Sequence, residues 1–155
     1  MRYLLILLIV FFSGCSFKDY EKSQSKIIII KSPRLKFADL GYIRNNDDEV
    51  EVELFVAGKS VEKISIDYLI CTHEGCLSKS SFNKNFLHYS YPEDTLKQVL
   101  LGKEIYNSTN KIIDNDGFSQ NIKNQYVDIR YRVSSKKIFF KDKKNNIIVK
   151  IKDTK

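Results

Sequence analysis

Val50, Val52, Leu54 and Val56 alternate with Glu49, Glu51 and Glu53. A period of two sends neighbouring side chains to opposite faces of a strand, so this segment predicts a strand with one buried apolar face and one solvated acidic face. The same rhythm predicts a strand over Val61 to Ile70, where Ile64, Ile66, Tyr68 and Ile70 alternate with Ser65, Asp67 and Leu69. It returns where Val127, Ile129, Tyr131 and Val133 alternate with Tyr126, Asp128, Arg130 and Arg132. Ile138 to Phe140 and Ile147 to Ile151 flank Lys141-Asp142-Lys143-Lys144-Asn145-Asn146, which predicts a final hairpin with a basic tip. Ile27 to Ile30 is an unbroken β-branched run, suited to a strand buried on both faces. Ser32-Pro33 separates it from a second strand over Leu35 to Ile43, since proline is a poor fit to a continuous central strand.

Turn chemistry divides the rest. Asn45-Asn46-Asp47-Asp48 and Gly58 mark tight turns. Leu77 to Tyr89 reads as one or two weak strands. Ser90-Tyr91-Pro92-Glu93 has capping-box spacing, and Leu96, Val99 and Leu100 recur at helical intervals before Gly102, which predicts one short amphipathic helix. Residues 107–121, rich in Asn, Asp, Ser and Gly, read as a long loop. Seven or eight short strands with one helix point to a mainly β fold, an antiparallel immunoglobulin-like β-sandwich, with a small open barrel as the alternative. The chain has no Trp, so the Cys…Trp…Cys spacing of antibody domains is missing.

The N-terminus breaks the β pattern. Arg2 precedes ten apolar or aromatic residues, Tyr3 to Phe12, followed by Ser13, Gly14 and Cys15. Ten helical residues span about 15 Å, against a hydrocarbon core of roughly 30 Å, so the run is too short to cross a membrane and fits the apolar region of a secretory signal. The quartet Phe12-Ser13-Gly14-Cys15 resembles a lipobox, with Phe12 where that pattern favours Leu. The resemblance implies cleavage before Cys15 and acylation of its sulfur. The expected organisation is a signal peptide over 1–14, a lipidated Cys and polar tether over 15–26, and the β domain over 27–155. Ser16 after the acylated Cys, where Asp would retain a lipoprotein in the inner membrane, points to the outer membrane.

Charge sharpens the picture. The chain holds 26 Lys and Arg against 19 Asp and Glu, a net charge of +7, and its last twenty residues hold eight Lys and two Asp. An exported chain with so local an excess suits an anionic lipid, a glycan or a protein partner rather than nucleic acid. The candidate contact residues are Lys136, Lys137, Lys141, Lys143, Lys144, Lys150 and Lys152. The bland reading of the same lysines is protection of an edge hairpin against aggregation. A third is internal pairing with the acidic stripe of residues 49–53.

After Cys15, only Cys71 and Cys76 remain. In an oxidising compartment they are expected to form a disulfide across a hairpin tip. Cys71, His73 and Cys76, with His88 as a fourth group, could ligate a metal, but the second Cys/His pair that makes zinc motifs specific is missing. No Gly-x-Ser-x-Gly, His-Glu-x-x-His, Cys-x-x-Cys or Gly-rich phosphate loop occurs in the sequence. The expectation is a non-enzyme without cofactor or metal.

The lipobox, the polar tether and a small Lys- and Asn-rich, Trp-free β domain together resemble the small envelope lipoproteins of Campylobacter-type bacteria, some of which carry immunoglobulin-like sandwiches. The resemblance implies a lipid-anchored binding, adhesion or assembly module of the cell envelope; the alternatives are a periplasmic structural or chaperone-like accessory subunit and, behind it, a small envelope hydrolase. It transfers no functional residues.

Overall fold

The turn signals join antiparallel neighbours into two meanders. The protein, described by a computed structural model over residues 20–154, contains β1 (Lys22–Lys31), β2 (Lys36–Asn45), β3 (Val50–Val56), β4 (Lys59–Ile66), β5 (Leu69–Thr72) and β6 (Gly75–Ser78). Two helices follow, α1 (Lys79–Phe86) and α2 (Thr95–Leu101), and a 3-10 turn at Tyr106–Ser108. The chain ends with β7 (Lys111–Asp114), β8 (Gly117–Lys123), β9 (Asp128–Ser134), β10 (Lys137–Asp142) and β11 (Ile147–Asp153). All eleven strands lie in a single sheet, ordered β6-β5-β4-β3-β2-β1-β11-β10-β9-β8-β7. Two meanders therefore meet where β1 pairs β11, with Ile28 opposite Ile151 and Ile30 opposite Val149.

One face of this sheet is apolar along its length. Laid flat, eleven strands would span about 48 Å, far more than two helices of roughly 10–12 Å could cover. Yet Ile28, Val52, Ile64, Ile129, Phe140 and Val149 share one core cluster with Phe82, Leu96, Val99 and Leu100 of the helices. The sheet therefore curls around α1 and α2, as open sheets of this width do. The helices meet different parts of it: α1 packs on β5 and β6, and α2 on β10. Gly41 permits the tight packing on the inner face, because a Cβ there would lie 2.7 Å from Ile28 Cδ1 and 2.8 Å from the Glu53 carbonyl oxygen.

The antiparallel, mainly β class matches the expectation. The arrangement differs from a sandwich of seven or eight strands: among the described residues there are eleven, in one sheet, and the second layer is helical. Alternating patterns report one buried face and are silent about what buries it. The strand order also begins earlier than expected. β1 starts at Lys22, inside the segment read as tether, because Lys22 to Lys26 find partners in Asn45 to Gly41 of β2. Nor is β1 buried on both faces: Ile28 and Ile30 are buried, whereas Ile27 is 39% exposed. The run Val61 to Ile70 is divided at Asp67-Tyr68, where Asp67 Oδ1 accepts the Leu69 N–H at 2.9 Å and the chain reverses into β5.

Two segments carry more order than their composition suggested. Within 77–89, α1 follows β6, started by Ser78, whose Oγ accepts the Ser81 N–H at 3.2 Å. Its buried Asn83 donates to the Tyr91 and Pro92 carbonyls at 3.4 and 3.0 Å, tying α1 to the segment before α2. Residues 107–121 hold β7 and most of β8, not a long loop. The predicted helix is present but starts at Thr95, and Ser90 bonds His88 Nδ1 at 2.7 Å instead of capping it. Gly102 ends it in a left-handed conformation, with Lys103 N–H donating to the Gln98 carbonyl at 2.8 Å.

Candidate functional site

Because both helices pack on the inner face, the outer face of β8 to β11 is left to solvent. The register fixes which side chains meet there. On β9, Arg130, Arg132 and Ser134 stand opposite Lys141, Phe139 and Lys137 of β10. Phe139 and Lys137 stand in turn opposite Lys150 and Lys152 of β11. On the other side, Asn121 and Ser119 of β8 face Arg130 and Arg132. The alternation that buries Ile129, Tyr131, Phe140, Val149 and Ile151 sends all of these outward.

Phe139 sits at the centre of the lattice. The Lys137 and Lys150 ammonium groups each lie 5.6 Å from its ring centroid, within reach of cation–π attraction. Between β8 and β10 the face is hollowed into a groove of about 520 Å³, lined by Ser119, Asn121, Arg130, Arg132, Ser134, Lys137 and Phe139, with Asp116 at one end. Asp116 Oδ1 accepts the Ser135 N–H at 3.3 Å, and hydrogen bonds from Ser135, aided by the charges of Lys136 and Arg132, hold its carboxyl below the usual range. Arg132 reaches Asp114 at 3.3 Å across open solvent. Among the described residues, no carboxylate lies within 4.0 Å of the charged groups of Arg130, Lys137, Lys141, Lys150 or Lys152 (the ion pairs are those of Lys26, Arg44, Lys63, His73, Lys79, Lys111 and Arg132).

The acidic stripe does not neutralise them. Glu51 is 2% exposed and accepts from Tyr20 Oη at 2.7 Å, Arg44 Nη1 at 3.0 Å and Lys63 Nζ at 2.7 Å. Arg44 also reaches Glu53 at 2.9 Å. Burial opposes ionisation of Glu51, but the hydrogen bonds from Lys63 and Tyr20 and the neighbouring positive charges outweigh it and hold the carboxyl below its ordinary value. The stripe is an internal ion cluster of β2 to β4, not the solvated face expected.

The seven candidate lysines are not one patch. Lys141, Lys150 and Lys152 lie on the outer face, with Lys137 at its margin; Lys136 sits in the β9–β10 turn. Lys143 and Lys144 belong to the opposite end, in the β10–β11 turn, where Lys144 Nζ donates to the Gln125 carbonyl. The basic region is thus a sheet face instead of a hairpin tip. Arg130, Arg132, Phe139, Ser119 and Asn121 were not singled out from the sequence. The signal was present in their parity, opposite to Ile129 and Tyr131, but joining them across strands requires the register.

Cys71 and Cys76 form a disulfide, S–S 2.03 Å, between directly opposed positions of β5 and β6. His73 Nδ1 lies 2.5 Å from Glu62 Oε2, and His88 bonds Ser90. Among the described residues no group of three or more His, Cys, Asp or Glu could hold a metal, and no helix is long and apolar enough to cross a membrane. Cys15 and the segment expected to be a signal peptide, 1–14, lie outside the described residues. No known family, curated protein or solved structure matches the chain.

Proposed function

We propose that the protein is a lipid-anchored, non-enzymatic binding module of the cell envelope, held in the outer membrane through Cys15, that engages an anionic partner with the outer face of β9 to β11. One observation carries this reading. Lys137 stands opposite Lys152, and Arg130 opposite Lys141, with no carboxylate between them. Like charges directly across a ladder destabilise a sheet, and an anion laid over the face would reverse the sign of that interaction. Solubility alone would be served as well by dispersed lysines.

The anchor makes the basic face unnecessary for attachment, since each buried CH₂ contributes about 0.8 kcal/mol and two acyl chains hold a protein stably. The test is crosslinking in intact cells. Wild-type protein is expected to yield a crosslinked species that disappears when Lys141, Lys150 and Lys152 are changed to Glu. Retention of that species in the variant would reject the face as the binding surface. Labelled palmitate is expected to enter the wild-type chain and not Cys15→Ser; labelling of both would reject the anchor.

A further inference from the structure

We infer that the groove between β8 and β10 is a subsite for an acidic saccharide, a chain of carboxylate-bearing sugars. This rests on the outer face being a binding surface and goes further by naming the chemistry it takes. A surface that needed only to meet negative charge would require cations alone. The groove has three kinds of group in one place: guanidinium and ammonium groups at Arg130, Arg132 and Lys137; neutral hydrogen-bonding groups at Ser119, Asn121 and Ser134; and the apolar ring of Phe139.

Each matches a different part of a uronic acid residue. A guanidinium presents paired N–H donors that fit a carboxylate in a fork, which an ammonium cannot do. Arg130 is exposed and has no ion pair among the described residues, so its fork is free. Serine hydroxyls both donate and accept, and the Asn amide does the same through two atoms, which suits sugar hydroxyls. Once the Lys137 and Lys150 side chains, now 5.6 Å from its centroid, turn to the sugar's carboxylates, the Phe139 ring offers an apolar surface for the C–H face of a pyranose, in the manner of sites that fix a ligand with few polar groups around an apolar floor. Charge complementarity argues for the same occupant: Asp116 is the lone carboxylate of the groove and lies at its end, so the anion fits along the β9–β10 side.

The periodicity of the sheet adds a reason for a chain over a single sugar. Asn121, Arg130 and Lys141 form one row across β8, β9 and β10, and Ser119, Arg132 and Phe139 the next. Rows on one face recur at about 6.8 Å, twice the rise per residue. A ligand with a repeating carboxylate can meet two successive rows.

The test uses the full chain, extracted from bacterial membranes in non-ionic detergent and titrated calorimetrically with three probes: oligogalacturonate, its methyl ester, and poly-glutamate. Oligogalacturonate is expected to bind, and the neutral ester about tenfold or more weakly. Asn121→Ala and Phe139→Leu are expected to weaken oligogalacturonate and leave poly-glutamate unchanged, whereas Arg130→Gln weakens both; melting curves matching wild type establish that each variant is folded. Equal binding of the two polyanions, insensitive to Asn121 and Phe139, would overturn the saccharide subsite while leaving the basic face as a charge-reading surface. Failure of both polyanions with crosslinking in cells still dependent on Lys141, Lys150 and Lys152 would also overturn the subsite alone. Failure of both with crosslinking unaffected by those lysines would overturn the functional reading with it.

Discussion

Tyr91 donates its hydroxyl to Asp142 across 2.8 Å and 51 residues of sequence, joining the segment before α2 to the end of β10. Both side chains are buried. Burial, with the adjacent carboxylate second, pushes the Tyr91 phenol above its ordinary value, so it stays a donor throughout the accessible pH range. Asp142 also accepts from Asn145 Nδ2 at 2.6 Å and from the N–H groups of Asp128 and Lys144 at 3.1 and 3.0 Å. Tyr91→Phe removes one donor to a charged acceptor and is expected to lower stability by about 1.5–3 kcal/mol. Urea unfolding with an unchanged m-value checks this; a midpoint equal to wild type would mean that the remaining donors suffice.

Glu51 predicts a pH dependence. Its folded-state pKa lies below the ordinary carboxylate value of 4.5, so its ionised form stabilises the native state at neutral pH. That stabilisation is lost as pH falls through the folded value. Glu51→Gln should cost about 1.5–3 kcal/mol at neutral pH, and the gap to wild type should close under acid conditions. Melting curves from pH 7 down to about 3 read the trend, and a gap that stays constant would contradict it.

Gln120 replaces a missing piece of sheet. It is fully buried, accepts the Ile105 N–H at 2.9 Å, and donates to the Ile105 and Thr109 carbonyls at 2.9 and 2.8 Å. These backbone groups belong to an irregular crossing that has no strand partner. Gln120→Leu keeps the volume and removes the side-chain partner of the Ile105 N–H and the Thr109 carbonyl, while the Ile105 carbonyl keeps the Ser108 N–H at 3.1 Å, for an expected loss of about 2–3 kcal/mol. Hydrogen exchange at Ile105 should accelerate in the same variant.

The Cys71–Cys76 bridge closes a very short loop. Chain-entropy reasoning gives it roughly 2 kcal/mol. Cys71→Ser with Cys76→Ser should lower the unfolding midpoint accordingly and leave oligogalacturonate binding unchanged, since the β5–β6 hairpin lies at the opposite edge of the sheet from β8.

Much of the strand content was readable because one-sided burial writes a period of two into Val50 to Val56, Val127 to Val133 and Ile147 to Ile151. The disulfide hairpin and the helix before Gly102 were readable for equally local reasons. α1 was not: Lys-Ser-Ser-Phe-Asn-Lys-Asn-Phe has weak helix propensity, and what holds it is the Ser78 cap, Phe82 in the core and Asn83 bonded to residues eight and nine positions away. The site failed for a related reason. Glu51 reads as solvated in the sequence because its partners Tyr20 and Lys63 are supplied by other segments, and Arg130 reads as an ordinary outward residue because Lys141 and Asn121 become its neighbours only through register.

The pairing of β1 with β11 sets an order of assembly. Lys26 to Lys31 must wait for Ile148 to Asp153, so the middle of the sheet, not its margin, is completed by the strand that comes latest of the eleven in sequence. Each six-strand or five-strand meander can form from local turns, but joining them closes a loop of over a hundred residues, the kind of contact that slows folding. Until that closure, β1 presents an unpaired edge flanked by apolar isoleucines. A chain truncated before β11 would keep that edge of β1, with its isoleucines, open to pairing with other chains.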